Sequence, residues 1–194
     1  QVGSDYPIGI KINSADFQRG GFTEKESMEV IRLLGNEGID LIEISGGTYE
    51  KPAMVQGIQK QSTVSREAYF LDYIEKARKL IKTPLLLTGG FRTVKVMEKA
   101  LEDGSLDVVG LARPFCLYPY LANQIFDGSV KQFDTPTPRI GIKFLDKLGG
   151  VELPWYELQI QRIGNGKSPK TDLSGIFAFW FSLKSLFFKS FWKN

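Results

Sequence analysis

PLLLTGGFRT at residues 84–93 and DVVGLARPF at residues 107–115 decide the reading of the fold. Each is a short apolar run that stops in small residues: Gly89 and Gly90 in the first, Gly110 and Ala112 in the second. Runs this apolar do not alternate as a half-exposed strand would. They fit strands buried on both faces, as in a parallel sheet covered by helices. Upstream, PIGIKIN (7–13) and DLIEIS (40–45) read as two further strands. Helical patterns fall between them, over about 24–37, 65–81, 93–102 and 117–127. Thr23 followed by Glu26 forms a capping box for the first helix, and Gly38 stands where a left-handed residue would end it. Ser65 is the expected cap of the second helix, whose apolar stripe is Phe70, Ile74, Ala77 and Leu80. Four strand–helix pairs in a row define an α/β fold. A doubly wound sheet and half of a (β/α)8 barrel both satisfy the pattern, and periodicity does not separate them.

The two deciding segments also carry chemistry. A strand that ends in Gly-Gly can turn sharply and let an anion approach backbone N–H groups. The start of the following helix adds a partial positive field. In the second segment Arg113 offers a planar donor fork suited to phosphate; a surface ion pair is the alternative. In a (β/α)8 barrel the loops after strands 7 and 8 frequently share one phosphate site. On that numbering the four strands here are strands 5–8. Lys11, inside the apolar GIKIN, is costly to bury unless paired. It faces away from Ile10 and Ile12, either into a barrel interior or, on an edge strand, into water.

Composition narrows the chemistry. The chain has 194 residues, 42% hydrophobic and 24% charged, with a net charge of +3 spread without a basic block. That pattern does not fit nucleic-acid binding. There is no histidine and one cysteine, Cys116. A Ser-His-Asp triad, a histidine general base and the usual zinc sites are therefore excluded within these residues. The lone cysteine fits a reducing compartment such as the cytoplasm, and Cys116 itself reads as a buried small side chain.

Five segments in order, GIKINSADF (9–17) with the following GGF, GIDLIEISGG (38–47), SREAYFLDYIEKARK (65–79), PLLLTGGFRT and DVVGLARPF, resemble the Old Yellow Enzyme family of NADH:flavin oxidoreductases. The resemblance spans about residues 6–128, and WYELQIQRIGNGKSP (155–169) is similar to C-terminal extensions in a branch with NADH-oxidase-like members. It implies a (β/α)8 barrel of which the strand 5–8 half is present, FMN as cofactor, NAD(P)H as reductant and a small-molecule electron acceptor such as an electron-poor alkene. It further implies that Lys11 lies against the flavin ring, that Gly89 and Gly90 bind the FMN phosphate, and that Ala112 and Arg113 complete that grip. Members of the family commonly have Gly where Ala112 stands, and the extra methyl is tolerable if the backbone φ is negative. Gly46 and Gly47 would line the same mouth without being ligands. The family's substrate-anchoring His/His or His/Asn pair, its glutamine to the flavin pyrimidine edge and its proton-donating tyrosine lie in the N-terminal half and have no counterpart here. Tyr49, Tyr69 and Tyr118 are read as structural, so no catalytic residue is assigned.

The expected domains are 1–128, the barrel half, and 129–194, a C-terminal extension. Within the latter, 133–172 reads as a surface-wrapping tail with short helices. Residues 176–192, IFAFWFSLKSLFFKSFW, form an amphipathic aromatic helix. Ser182, Ser185, Lys189, Ser190 and Lys193 share its polar face, and Lys184 falls on the apolar side. Docking on the protein or on a second subunit is the first reading, an in-plane membrane helix the second. The start at Gln1, just ahead of a strand, reads as a cut through a larger protein. A half barrel exposes two sheet edges, so the isolated chain is expected to be catalytically incomplete and to pair with another copy or with a missing N-terminal half. The rival readings are another phosphate-binding barrel enzyme and a membrane-associated or scaffolding fragment.

Overall fold

The computed structural model describes residues 3, 5–16, 19–45, 63–142 and 151–181, with the side chains of 63–70 left aside. Gly46, Gly47, Tyr49, the Tyr69 and Phe70 side chains, and the polar face from Ser182 to Lys193 with Lys184 lie outside what is described. The chain divides into two compact units, Gln1–Leu111 and Ala112–Asn194.

The first unit is built from β1 (Gly9–Asn13), α1 (Glu24–Asn36), β2 (Leu41–Ser45), α2 (Thr63–Arg78), β3 (Leu85–Thr88), α3 (Val94–Glu102) and β4 (Val108–Gly110). The strands form one sheet in the order β1-β2-β3-β4, and all three neighbouring pairs are parallel. That order separates the two architectures left open by periodicity. A doubly wound sheet reverses strand order at its switch point. Here each strand pairs with the next, and right-handed crossovers then place every helix on one face. The result is a partial (β/α) barrel.

Alternation sorts the side chains by face. Ile42, Ile44, Leu85 and Leu87 are fully buried on the helix side, together with Ile31 of α1 and Tyr73, Ile74 and Ala77 of α2. Val94, Met97 and Ala100 of α3 are buried as well. The opposite face carries Lys11, Glu43, Leu86, Thr88, Val108 and Gly110, as the register requires.

Local signals set most of the boundaries. Thr23 accepts the Glu26 N–H and Glu26 accepts the Thr23 N–H at 2.8 Å, which completes the capping box. Two details depart from expectation. Helix α2 begins at Thr63, ahead of Ser65, and stops at Arg78. Leu80 therefore lies past the helix end and is exposed, while Tyr73 and Ile81 take the buried places.

The second unit opens with a 3₁₀ turn, Arg113–Cys116, and continues to α4 (Leu121–Phe126). The single helix expected over 117–127 is thus shortened, because Pro119 disfavours helical backbone at Tyr118. The stretch expected as a wrapping tail holds α5 (Glu152–Gly164), a 13-residue helix with a core of its own. Leu117, Ile140, Val151, Trp155, Tyr156 and Ala178 pack together there. The Trp155 indole N–H donates to the Leu173 carbonyl at 2.7 Å and the Tyr156 hydroxyl to the Pro136 carbonyl at 2.8 Å. Both rings can therefore be buried with their polar ends satisfied. Residues 175–181 are helical; Ala178 is fully buried, while Phe177 and Trp180 remain 63% and 61% exposed. Among the described residues no helix is long and apolar enough to cross a membrane.

Candidate functional site at the C-terminal ends of the strands

Parallel strands send their C-terminal ends to one edge, where loops of a β/α fold collect ligands. The edge is formed by Asn13, Ser45, Thr88 and Gly110. Thr88 and Gly110 are register partners, and the Gly89 N–H donates to the Gly110 carbonyl at 3.3 Å. The ends of β3 and β4 are therefore side by side and point the same way.

The Gly89-Gly90 turn has the geometry expected of it, with one refinement. Gly89 has φ +101° and Gly90 φ +84°, a consecutive pair that L side chains rarely adopt. Because Gly89 spends its N–H on Gly110, the turn's N–H left without a hydrogen bond among the described residues is that of Gly90. Phe91 is buried and anchors the turn from behind. Helix α3 then starts at Val94 without a side-chain cap at Thr93, so its positive end is not neutralised locally. These residues fit a phosphate: an open N–H, no Cβ in the way, and an uncapped helix start.

Lys11 is not a lone cation. Its Nζ donates to Glu43 Oε1 at 2.6 Å, and Thr88 Oγ1 donates to the same oxygen at 2.7 Å. Burial pushes the Glu43 carboxyl up, but the hydrogen bonds from Lys11 and Thr88 and the lysine's charge outweigh it and hold the group below its ordinary value. Two residues further along, Ser45 Oγ donates to Asn13 Oδ1 at 3.1 Å and Asn13 Nδ2 to Asp16 Oδ1 at 3.1 Å. Asp16 also accepts the Phe22 N–H at 2.9 Å, closing the loop that follows β1.

Sequence reasoning missed Glu43 and Thr88. The signal was present. Glu43 interrupts the apolar DLIEIS just as Lys11 interrupts GIKIN, and two opposite charges inside neighbouring strands are best explained by each other.

Ala112 and Arg113 open the second unit. Ala112 has φ −107°, a region any residue adopts, so the methyl that stands where glycine was expected costs the backbone nothing. Arg113 donates to Glu152 Oε1 at 2.5 Å, an ion pair between groups only 23% and 15% exposed. Cys116 is half-buried, with its thiol donating to the Ala112 carbonyl at 3.7 Å. Burial pushes that thiol up, against the pull of its own backbone and of Arg113. It is a packing residue rather than a nucleophile. Among the described residues no cluster could hold a metal.

The chain is similar in sequence to known flavin oxidoreductases. An NADH-dependent flavin oxidoreductase of Hypocrea jecorina is 37% identical over 161 residues, which are 78% of this chain and 39% of that protein. Another, from Aspergillus parasiticus, is 34% identical over 176 residues, 90% of this chain and 37% of that protein. The chain is related to part of these NADH-dependent flavin oxidoreductases, in line with the resemblance to the Old Yellow Enzyme family. It spans well under half the length of these flavin oxidoreductase relatives. Among solved structures, a 2-naphthoyl-CoA reductase in complex with 2-naphthoyl-CoA superposes with a TM-score of 0.57 at 30% identity, over 66% of this chain and 19% of that one. No protein-family model matches the chain.

Proposed function

We propose that this chain supplies the phosphate grip and one ring-edge contact for FMN in an NAD(P)H-dependent oxidoreductase acting on a small electron acceptor. The observation that supports this best is the turn after β3, where two consecutive glycines of positive φ leave the Gly90 N–H open beside an uncapped helix start. The chemistry that bound FMN would supply is hydride transfer between the nicotinamide and the acceptor. The chain's own residues do the rest. Gly89 locks the turn onto β4, and Gly90 would donate to the phosphate. Lys11 offers positive charge where a reduced flavin gathers negative charge at its N1/O2 edge.

The test is a titration of the full 194-residue chain with FMN, followed by quenching of flavin fluorescence. Binding should weaken at least tenfold in Gly90→Val, which puts a β-branched side chain at positive φ and blocks the N–H, and inorganic phosphate should compete. Unchanged FMN affinity in Gly90→Val would remove the turn from the site.

A further inference from the structure

The polar face of the sheet holds a constellation that the phosphate grip does not use. Lys11 and Glu43 are direct register partners on β1 and β2. Thr88 lies diagonal to Glu43, whose own partner on β3 is Leu86. Side chains in that diagonal relation are within reach across a sheet. Both Lys11 Nζ and Thr88 Oγ1 converge on one oxygen, Glu43 Oε1, at 2.6 and 2.7 Å. The space for the Thr88 hydroxyl exists because residue 110 is glycine. A Cβ there would stand 2.1 Å from Thr88 Oγ1. Three strands thus combine to hold one carboxylate, and that carboxylate holds the lysine. On this face of the described sheet Lys11 and Glu43 are the charged side chains. Strands β3 and β4 present Leu86, Thr88, Val108 and Gly110, and Asp16, just past β1, is occupied by Asn13 and the Phe22 N–H.

We propose that Glu43, steadied by Thr88, is the positioning residue that aims the Lys11 ammonium and sets the net charge that β1 and β2 present to the flavin ring edge. The inference rests on the FMN reading above. A lysine is a point charge on a flexible four-carbon stem, and Lys11 is 55% exposed along its side chain. Without an acceptor it would swing among rotamers. With Glu43 it is held, but the carboxylate's opposite charge offsets part of its field. Glu43 therefore does two opposed things: it fixes where the cation sits and limits how strongly the cation favours reduced flavin. Charge and position can be separated by substitution. Glu43→Gln keeps the shape and an amide oxygen to accept from Lys11, and removes only the negative charge. Lys11→Met removes the positive charge and keeps the length.

Two measurements test this. In the flavin-free chain, ¹³C-labelled glutamate reports the Glu43 carboxyl, and both Lys11→Met and Thr88→Val should move its titration upward, since each removes a hydrogen bond to the ionised form. In the FMN-loaded chain, spectroelectrochemistry should show Glu43→Gln favouring reduced over oxidised flavin by about tenfold, about 30 mV for a two-electron couple. Lys11→Met should shift the potential the other way. FMN that fails to bind the unmodified chain overturns the flavin reading and the inference with it. FMN that binds with a midpoint potential indifferent to Glu43→Gln overturns the inference alone. A Glu43 titration that ignores Lys11→Met removes its structural basis.

Discussion

Replacing Gly110 by alanine tests how closely β4 is fitted to β3. The new Cβ would lie 2.1 Å from Thr88 Oγ1, 2.8 Å from Leu86 Cδ2 and 3.0 Å from Thr88 Cα. The first two atoms end side chains and can move, whereas the third is backbone and cannot move without dragging the β3–β4 ladder. Turning the Thr88 hydroxyl away breaks its hydrogen bond to Glu43. A bond to a charged acceptor contributes about 1.5–3 kcal/mol, discounted here to about 1–2 because Glu43 is partly exposed. Displacing Leu86 and straining the ladder adds about 1–3 kcal/mol of overpacking. Stiffening the unfolded chain offsets about 0.4–1 kcal/mol. The net loss is about 2–3 kcal/mol, or a fall in Tm of about 5–10 °C for a chain of this size. Thermal melts by circular dichroism measure it, and a double-mutant cycle identifies its source. In a Thr88→Ala background the nearest clash is gone and the hydrogen bond already lost, so Gly110→Ala should cost at least about 1 kcal/mol less than it does alone. Additive effects of the two substitutions, or a single-mutant loss under about 0.5 kcal/mol, would show that the close approach of Gly110 to Thr88 does not exist.

Two further outcomes are expected. In the second unit Gly175→Ala would bring a Cβ to 2.6 Å from the carbonyl carbon and oxygen of Arg139 and 3.0 Å from Ile140 N, all backbone, so it should destabilise by about 3 kcal/mol or more and raise Trp155 emission at low denaturant; native-like melting would refute the packing. Glu43 ionises more easily folded than unfolded, so its contribution is present above its ordinary value of 4.5 and is lost as pH falls through the lower folded value. Denaturant midpoints measured from pH 6 to 3 should therefore fall less steeply in Glu43→Gln than in the unmodified chain, and parallel slopes would contradict the assignment.

Legibility in the sequence followed the range of the interactions. The Thr23–Glu26 capping box spans three residues, and its pattern alone located the start of α1. The positive φ of Gly89 and Gly90 follows from what a strand must do to turn sharply with no side chain in the way. The apolar runs at 84–88 and 107–111 marked buried parallel strands, because a strand covered on both faces leaves no room for alternation. The boundaries that slipped, such as the end of α2 before Leu80, were those where tertiary packing rather than capping chose the last turn.

By itself the sequence determined the α/β class, the number and direction of the strands, and the residues that could face a phosphate. Tertiary structure decided the strand order, which separates the partial barrel that the family resemblance implied from the doubly wound sheet that periodicity also allowed. It also decided the partners of the charged groups. Lys11 meets Glu43 32 positions away and Arg113 meets Glu152 39 positions away. The core around Trp155 is likewise assembled from segments distant along the chain. The reason is physical. Periodicity and capping are set by neighbours within a turn or two, whereas register and partner choice depend on which buried surfaces meet, a property of the packed sheet and not of any one segment.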